Sequence, residues 1–496
     1  MDKWQKDIIY LSLIFKFFLL ALQMISNEIL PDHDAGVFNS PFPESSGMFD
    51  SLIDKLFGGL RRWDAIYFLH IANHGYTYEN CLAFFPLFPL TVYIFSSCIY
   101  FPFYFIFSFS RLLLLTSVSL NMLFSVLSSL ALYNLGKEAT GSQPLAFKAA
   151  LLYILSPASV FFMAPYSESL FSFLSFTGML LHLKRRPIYA ALLFGFSALT
   201  RSNGIVALGF IFHWFSQKCL NIIFSSQKML FMMKEHLKNF IFTIIQIIIL
   251  VTPFFLYQLY TFLLYCKPND PKDHLIKTPF DIHVTKYGHK MGFKFPDNST
   301  SVSEWCHYNL PISYSFIQNH YWNTGFLSYF HWKQIPNFLL ASPMICLCLA
   351  SCYTYFKLQR SHCLFLGLTI PRRSQISSNP KAMKYGFSNM QIFVFGAQML
   401  FFTIFGFFCI HVQVLTRLIA SSCPFVYWFS AYVISTNTQD VSADEESVTL
   451  KKNRFCRIMQ EILTNKSNNI SRLIIFYYLS YCFIGTIAFS NFLPWT

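Results

Sequence analysis

Gly58-Gly59-Leu60-Arg61-Arg62-Trp63-Asp64-Ala65-Ile66-Tyr67-Phe68-Leu69-His70-Ile71-Ala72-Asn73-His74-Gly75-Tyr76 is the densest polar passage beside the first long apolar run of the chain. A few residues later Cys81-Leu82-Ala83-Phe84-Phe85-Pro86-Leu87-Phe88-Pro89 leads back into apolar sequence. If the flanking runs lie in lipid, an Asp set between Trp and an amphipathic run stands where the chain leaves and re-enters the bilayer. That is a place to meet a substrate at the membrane surface.

Composition says that the flanks do lie in lipid. The chain has 496 residues, 54% hydrophobic and 12% charged, with a mean hydropathy of +0.44. Soluble domains carry roughly 25% charged residues. Sixty Phe residues suit helices that need no solvent face, so an ordinary soluble enzyme is excluded. Ile8 to about Ile25 is longer than the core of a secretory signal and lacks a small-x-small cleavage site, which predicts an uncleaved first transmembrane helix. The net charge of +14 does not imply nucleic acid, because cytoplasmic loops of membrane proteins collect Lys and Arg. Thirteen cysteines lie mostly in apolar stretches without a CxxC pair, which argues against zinc. Cys266 and Cys306 share one polar loop and could pair if that loop is lumenal.

Working outward, apolar runs of spanning length occur at about 8–25, 82–107, 112–135, 145–164, 168–183, 187–215, 240–265, 336–356, 391–412, 416–435 and 472–493. The expectation is an all-α polytopic membrane protein, one domain over 1–496, with roughly ten to twelve crossings of about 20 residues each. Lys184-Arg185-Arg186, Lys218 with Lys228, Lys234 and Lys238, and Lys357 through Lys384 mark the cytoplasmic face. Opposite them fall a first polar segment, 26–81, a second, 266–335, and short bends at Tyr166-Ser167-Glu168 and His411 to Arg417. Simple spans do not close the parity. Pro86, Pro89 and Pro102 in 82–107, and Thr200-Arg201-Ser202-Asn203-Gly204 in 187–215, make those runs candidates for re-entrant or broken segments. The segment 437–470 is polar and reads as a mobile cytoplasmic loop. Asn298-Ser299-Thr300 is a glycosylation sequon in the second lumenal segment. Asn465-Lys466-Ser467 and Asn469-Ile470-Ser471 match the pattern on the other side, so sequons alone do not orient the chain.

Charges within or beside apolar runs are costly and mark function. Asp64, Glu79, Glu168, Arg201 and Arg417 all fall toward the face opposite the basic loops. Each also has a structural reading. Asp64 and Glu168 could cap the helices that follow them. Arg201 could be an ion-pair partner inside the bundle, and Arg417 could snorkel. His74 and Tyr76 could simply pack at the interface. A transporter or lipid scramblase would also use broken helices and intramembrane charges, but would show inverted halves and midplane polar groups, and neither is seen.

Arg62-Trp63-Asp64-Ala65, His74-Gly75-Tyr76 and Phe84-Phe85-Pro86-Leu87-Phe88-Pro89 resemble blocks of the GPI mannosyltransferase II (PIG-V) family. The resemblance continues in order through Leu155-Ser156-Pro157-Ala158-Ser159-Val160, Tyr166-Ser167-Glu168-Ser169-Leu170-Phe171, Arg201-Ser202-Asn203-Gly204, His411 to Arg417, and Asn491-Phe492-Leu493-Pro494-Trp495-Thr496. Residues 266–335 and 437–470 match nothing in it. The resemblance implies a GT-C-type bundle in the endoplasmic reticulum membrane, multi-pass, with a lumenal active site. It implies dolichyl phosphate mannose as donor and a GPI precursor bearing one mannose as acceptor, extended through an α-1,6 bond. An accessory membrane subunit is implied in some organisms. Another dolichyl-phosphate-mannose-dependent step remains the alternative within the fold.

The donor is a β-mannoside, so an α product requires inversion. Inversion needs a base on the acceptor hydroxyl, for which Asp64 is the candidate, worth about 10²–10⁴ in rate. It also needs stabilisation of the departing phosphate, for which Arg201 is preferred over Arg417 because Ser202-Asn203-Gly204 could offer backbone N–H groups beside it. Trp63, His74, Tyr76, Glu79, Glu168, Asn203 and Gln413 complete the expected substrate-binding set. Many GT-C enzymes carry a second acid next to the first. Ala65 and Ile66 stand there instead, so no metal and no cofactor beyond the donor substrate are expected.

Overall fold

The computed structural model describes residues 1–34, 36–39, 41, 47–223, 229–267, 281–296, 302–368, 386–435 and 469–495. Among these residues the regular structure is helical, with no strand. In chain order the helices are α1 (Lys3–Ile29), α2 (Asp50–Phe57), α3 (Asp64–His74), α4 (Leu87–Phe103), α5 (Phe109–Thr140) and α6 (Gln143–Ile154). They continue with α7 (Glu168–Leu183), α8 (Pro187–Thr200), α9 (Leu208–Ile223), α10 (Met229–Tyr265), α11 (Ile282–Met291) and α12 (Ser313–Trp322). The last are α13 (Ile335–Leu358), α14 (Arg360–Leu364), α15 (Phe393–Cys409), α16 (Leu415–Ser422), α17 (Pro424–Ser435) and α18 (Asn469–Ser490). The sequon at 298–300 and nearly all of 437–470 lie outside the described residues, although Asn469 and Ile470 already belong to α18.

Among the described residues seven helical stretches are long and apolar enough to cross a membrane, and the pair α16–α17, bent by 81°, makes up to eight. Their outward rows, such as Phe17 and Phe18 on α1 or Ile241, Ile248 and Phe255 on α10, are exposed apolar side chains, as lipid-facing surfaces require. α6, α7 and α8 are shorter; α6 and α7 are largely enclosed by the bundle, while α8 buries one side and exposes Tyr189, Leu192 and Phe196 on the other.

The parity problem resolves at α4. Phe49 N–H donates to Ile106 C=O (3.3 Å), Ser108 N–H donates to Asp50 Oδ1 (2.9 Å), and Arg111 pairs with Asp54 (3.2 Å). These bonds tie the far end of α4 to the same polar segment that feeds its near end. The run 82–107 is therefore a hairpin arm along α5 rather than a crossing. With α6, α7 and α8 each taken as a passage, Lys184-Arg185-Arg186, the facing ends of α9 and α10 (Ile223 and Met229), the end of α13 and the start of α15 all fall on one face.

Two further departures from regular spans position polar groups. The run 145–164 is not one helix. α6 stops at Ile154, and 155–167 follows as a buried series of turns before α7 starts. Lys16, an intramembrane charge of α1 that the sequence reading did not single out, is 1% exposed. Its ammonium lies 3.5 Å from Ser159 C=O and 5.7 Å from the Phe162 ring centroid, supporting those turns. The break at 201–204 is present as expected. Gly204 packs against the backbone of Ser197 and Ala198, where a Cβ would overlap main-chain atoms of Ala198.

In the second polar segment Cys266 and Cys306 are disulfide-bonded. This segment folds over the first one. Tyr78 donates to Val284 C=O (2.6 Å), and Trp305 is fully buried in a satellite core with Tyr76, Tyr78 and Tyr257.

Candidate active site

Three broken elements and one loop helix converge. α7 begins at Glu168 and ends beside Lys184-Arg185-Arg186, and its 16 residues put Glu168 about 24 Å from that basic turn. α8 starts at the same turn and ends at Thr200, with Arg201 as its extended C-cap. Arg417 lies in α16, just before the 81° bend. Asp64 is the first residue of α3.

Their side chains form one continuous ionic chain. Asp64 Oδ2 is 2.7 Å from Arg417 Nη1, which lies 3.6 Å from Glu168 Oε1. The same Glu168 oxygen is 2.6 Å from Arg201 Nη1, and Arg201 also donates to Ser167 Oγ (3.2 Å). Two carboxylates and two guanidinium groups balance in charge, and both acids sit at helix N-termini, where the peptide dipoles favour anions. Exposure separates their roles: the Glu168 side chain is 0% exposed and that of Asp64 30%. Glu168 is sealed behind both arginines, and Asp64 is the open end.

Tyr166 closes the constellation from below. Its hydroxyl accepts the Asp64 backbone N–H (3.1 Å), filling one of the donor positions that a helix start leaves open. Asn121, deep in α5, donates its side-chain amide to Tyr166 C=O (2.8 Å) and to Ala164 C=O, which fixes the turn carrying Tyr166. The Arg417 guanidinium lies over Phe161 and Tyr166, 5.3 and 5.4 Å from their ring centroids.

The turn before Asp64 is strained. Trp63 has φ 55° and ψ −127°, and Ala65 N–H donates to Arg62 C=O (3.1 Å). These are the dihedrals of the first central residue of a type II′ turn, a position that glycine normally fills. Holding tryptophan there costs about 1–3 kcal/mol and persists only where neighbours enforce it.

The other expected residues make their contacts outside this ionic chain. Asn203 donates to Ser422 Oγ (2.9 Å), bonding the α8–α9 break to the end of Arg417's helix. Gln413 accepts from Tyr329 (3.3 Å), whose ring stacks on His411 at 4.5 Å. Tyr76 donates to Phe84 C=O (2.7 Å), and His74 bonds the neighbouring Asn73 amide (2.9 Å). Trp63 packs on Phe492 with ring centroids 6.0 Å apart. Glu79 is not brought into the cluster. It is fully buried, and it accepts from Ser303, from Trp305 Nε1 (3.0 Å) and from Tyr321 (2.8 Å), so it bonds the second polar segment to the first. Among the described residues no three His, Cys, Asp or Glu side chains are grouped to hold a metal ion.

Sequence reasoning missed Tyr166 as a contact, Asn121, Trp322 and Arg62. Asn121 had a usable signal, a lone amide within an apolar run. Trp322 had none, since it comes from the segment that the motifs do not cover. Its ring lies 6.0 Å from Tyr67, one turn after Asp64, and its carbonyl bonds the His411 ring (2.7 Å), tying α12 to the Arg417 segment.

The profile of the family described as Mannosyltransferase (PIG-V) matches residues 5–496. The chain is 35% identical to mouse GPI alpha-1,6-mannosyltransferase 2 over 506 residues, covering 100% of this chain and 99% of the relative. Against the human protein of the same name it is 35% identical over 505 residues, again covering 100% and 99%. It is 33% identical to GPI mannosyltransferase 2 of Drosophila pseudoobscura pseudoobscura, covering 98% of each. Among solved structures, an oligosaccharyltransferase from Archaeoglobus fulgidus aligns with a TM-score of 0.44 at 12% identity, over 97% of this chain and 55% of that one. With a profile match and relatives above 30% identity over essentially its whole length, the chain belongs to the PIG-V family of mannosyltransferases.

Proposed function

We propose that the chain transfers the second mannose of the GPI anchor, from dolichyl phosphate mannose to the precursor bearing one mannose, through an α-1,6 bond with inversion. The observation that carries this reading is the ionic chain Asp64–Arg417–Glu168–Arg201, most open at Asp64, partly open at Arg201 and closed at Glu168. Asp64 takes the proton of the attacking acceptor hydroxyl as that oxygen bonds to the anomeric carbon. Arg417, 2.7 Å away, holds the carboxylate in place. The bond from the anomeric carbon to the phosphate oxygen breaks, and the dolichyl phosphate leaves as an anion toward Arg201, whose own carboxylate partner is held out of reach of solvent. No second acid is required, because the nucleophile is a sugar hydroxyl rather than a water that must be admitted between carboxylates.

The Cys266–Cys306 disulfide on the site's face supports a lumenal site in the endoplasmic reticulum, since disulfides persist in that compartment and not in the cytosol. The test is expression in cells lacking the native activity, with the accumulated lipid intermediate identified. A mono-mannosylated precursor that disappears, with GPI proteins returning to the surface, supports the reading. Accumulation of any other intermediate, cured by this chain, moves the acceptor to a different step. Cells that stay uncorrected despite stable protein overturn it.

A further inference from the structure

We infer that the C-terminal segment Ser490-Asn491-Phe492 is a strap that holds Arg62 and the strained Trp63 turn, making Arg62 and Phe492 positioning residues for Asp64. The Trp63 backbone occupies a glycine conformation with a bulky side chain, so the turn does not hold itself; its surroundings must. The neighbours that do so come from the two ends of the chain. Arg62 Nε donates to Ser490 C=O at the end of α18 (3.1 Å). Its Nη2 donates to Asn27 Oδ1 near the end of α1 (2.8 Å) and to both oxygens of Asp32 (3.0 and 2.9 Å).

The guanidinium lies 4.4 Å from the Phe492 ring centroid, and the same ring is 6.0 Å from Trp63 at 62°. One aromatic side chain thus touches both residues that precede the aspartate. Phe492 is turned back onto them by its own left-handed backbone, φ 57°, closed by Leu493 N–H donating to Ala488 C=O (2.9 Å). The strap is itself anchored. Asn491 donates to Ser26 Oγ (2.7 Å), and His33 N–H donates to Asn491 C=O (3.0 Å).

None of these contacts involves Arg417, Glu168 or Arg201, so the strap bears on Asp64 through residues 62 and 63 rather than through the ionic chain. Resting on Asp64 as the acceptor's base, the consequence is kinetic. A misplacement of about 1 Å at a reacting group can cost 10²-fold in rate.

The test compares Phe492→Leu, which keeps apolar bulk but has no π face for the guanidinium, with Phe492→Tyr, which keeps the ring at a partly exposed position. Turnover and KM for the mono-mannosylated acceptor are measured in membranes. Rates are normalised to protein carrying the Cys266–Cys306 bond on non-reducing gels, so a variant that folds poorly is still read per folded molecule. Phe492→Leu should lower kcat about 10- to 100-fold with KM unchanged, and Phe492→Tyr should stay near wild type. Wild-type kcat per molecule in Phe492→Leu, an equal loss in both variants, or a loss confined to KM or to abundance would each overturn the strap. Asp64→Asn in the same membranes separates the two ideas. An inactive Asp64→Asn beside a normal Phe492→Leu sinks the strap alone, and an active Asp64→Asn sinks the base assignment.

Discussion

Two acids of the same chemistry have opposite assignments because of what surrounds them. Glu168 is enclosed between Arg201 and Arg417 with no exposed side-chain surface, so removing its charge leaves two buried cations sharing one carboxylate. Breaking a buried pair in this way costs about 3–5 kcal/mol. Glu168→Gln should therefore lower the amount of folded protein in the membrane, read as steady-state level and thermal inactivation, as well as activity. Unchanged abundance and stability would show that Glu168 does not organise the two arginines. Asp64, Glu168, Arg201 and Arg417 were legible in the sequence because charges in or beside apolar runs are conspicuous. Glu79 carried the same signal, but its partners Ser303, Trp305 and Tyr321 lie 224 to 242 residues away, and nothing local announces them. Tyr166 was illegible as a contact because a hydroxyl that accepts one backbone N–H leaves no pattern.

At the scale of the element, α3 is a short helix whose back is lined by histidines held neutral. Burial pushes the His70 pKa down to about 3, with His74 adding to the effect, and the ring bonds Thr77 Oγ1 at 2.6 Å. Burial also lowers His74, with Asp281 pulling the other way. The unfolded chain takes up these protons below the ordinary value of 6.5 and the folded chain does not. Stability is thus fully present above that pH and declines as pH falls toward 3. Thermal inactivation of the purified protein should be faster at pH 5 than at pH 7, and His70→Gln should flatten the difference. A pH 5 rate equal to or slower than that at pH 7 contradicts the sign.

The breaks in α8–α9 and near Pro86 were legible because Pro and Gly interrupt apolar sequence there. The stop at Ile154 and the bend at Cys423 carry the same kind of signal, Ser156-Pro157 and Ser422-Cys423-Pro424, but length and apolarity hid it in runs read as single spans. Tertiary contacts then hold them, with Lys16 on the turns at 155–167 and Arg417 of α16 paired to Asp64.

For the whole molecule, the folding-back of α4 makes the passages alternate correctly. It predicts that a cysteine at Tyr104, at the hairpin tip, and one at Arg186, in the basic turn, lie on opposite faces. In sealed microsomes an impermeant thiol reagent should label Arg186→Cys directly and Tyr104→Cys only after the membrane is opened. Labelling of both from outside would make α4 a true crossing and contradict the hairpin. The helical, polytopic architecture was readable from composition and run length, while the direction of each passage needed the contacts of residues 47–54 with 106–111.

The most direct test of the account is mannose transfer from dolichyl phosphate mannose to the mono-mannosylated GPI precursor by Asp64→Asn, at matched protein level. The account predicts a loss of about 10²–10⁴-fold in turnover with the protein still folded and disulfide-bonded. Transfer at the wild-type rate would contradict it.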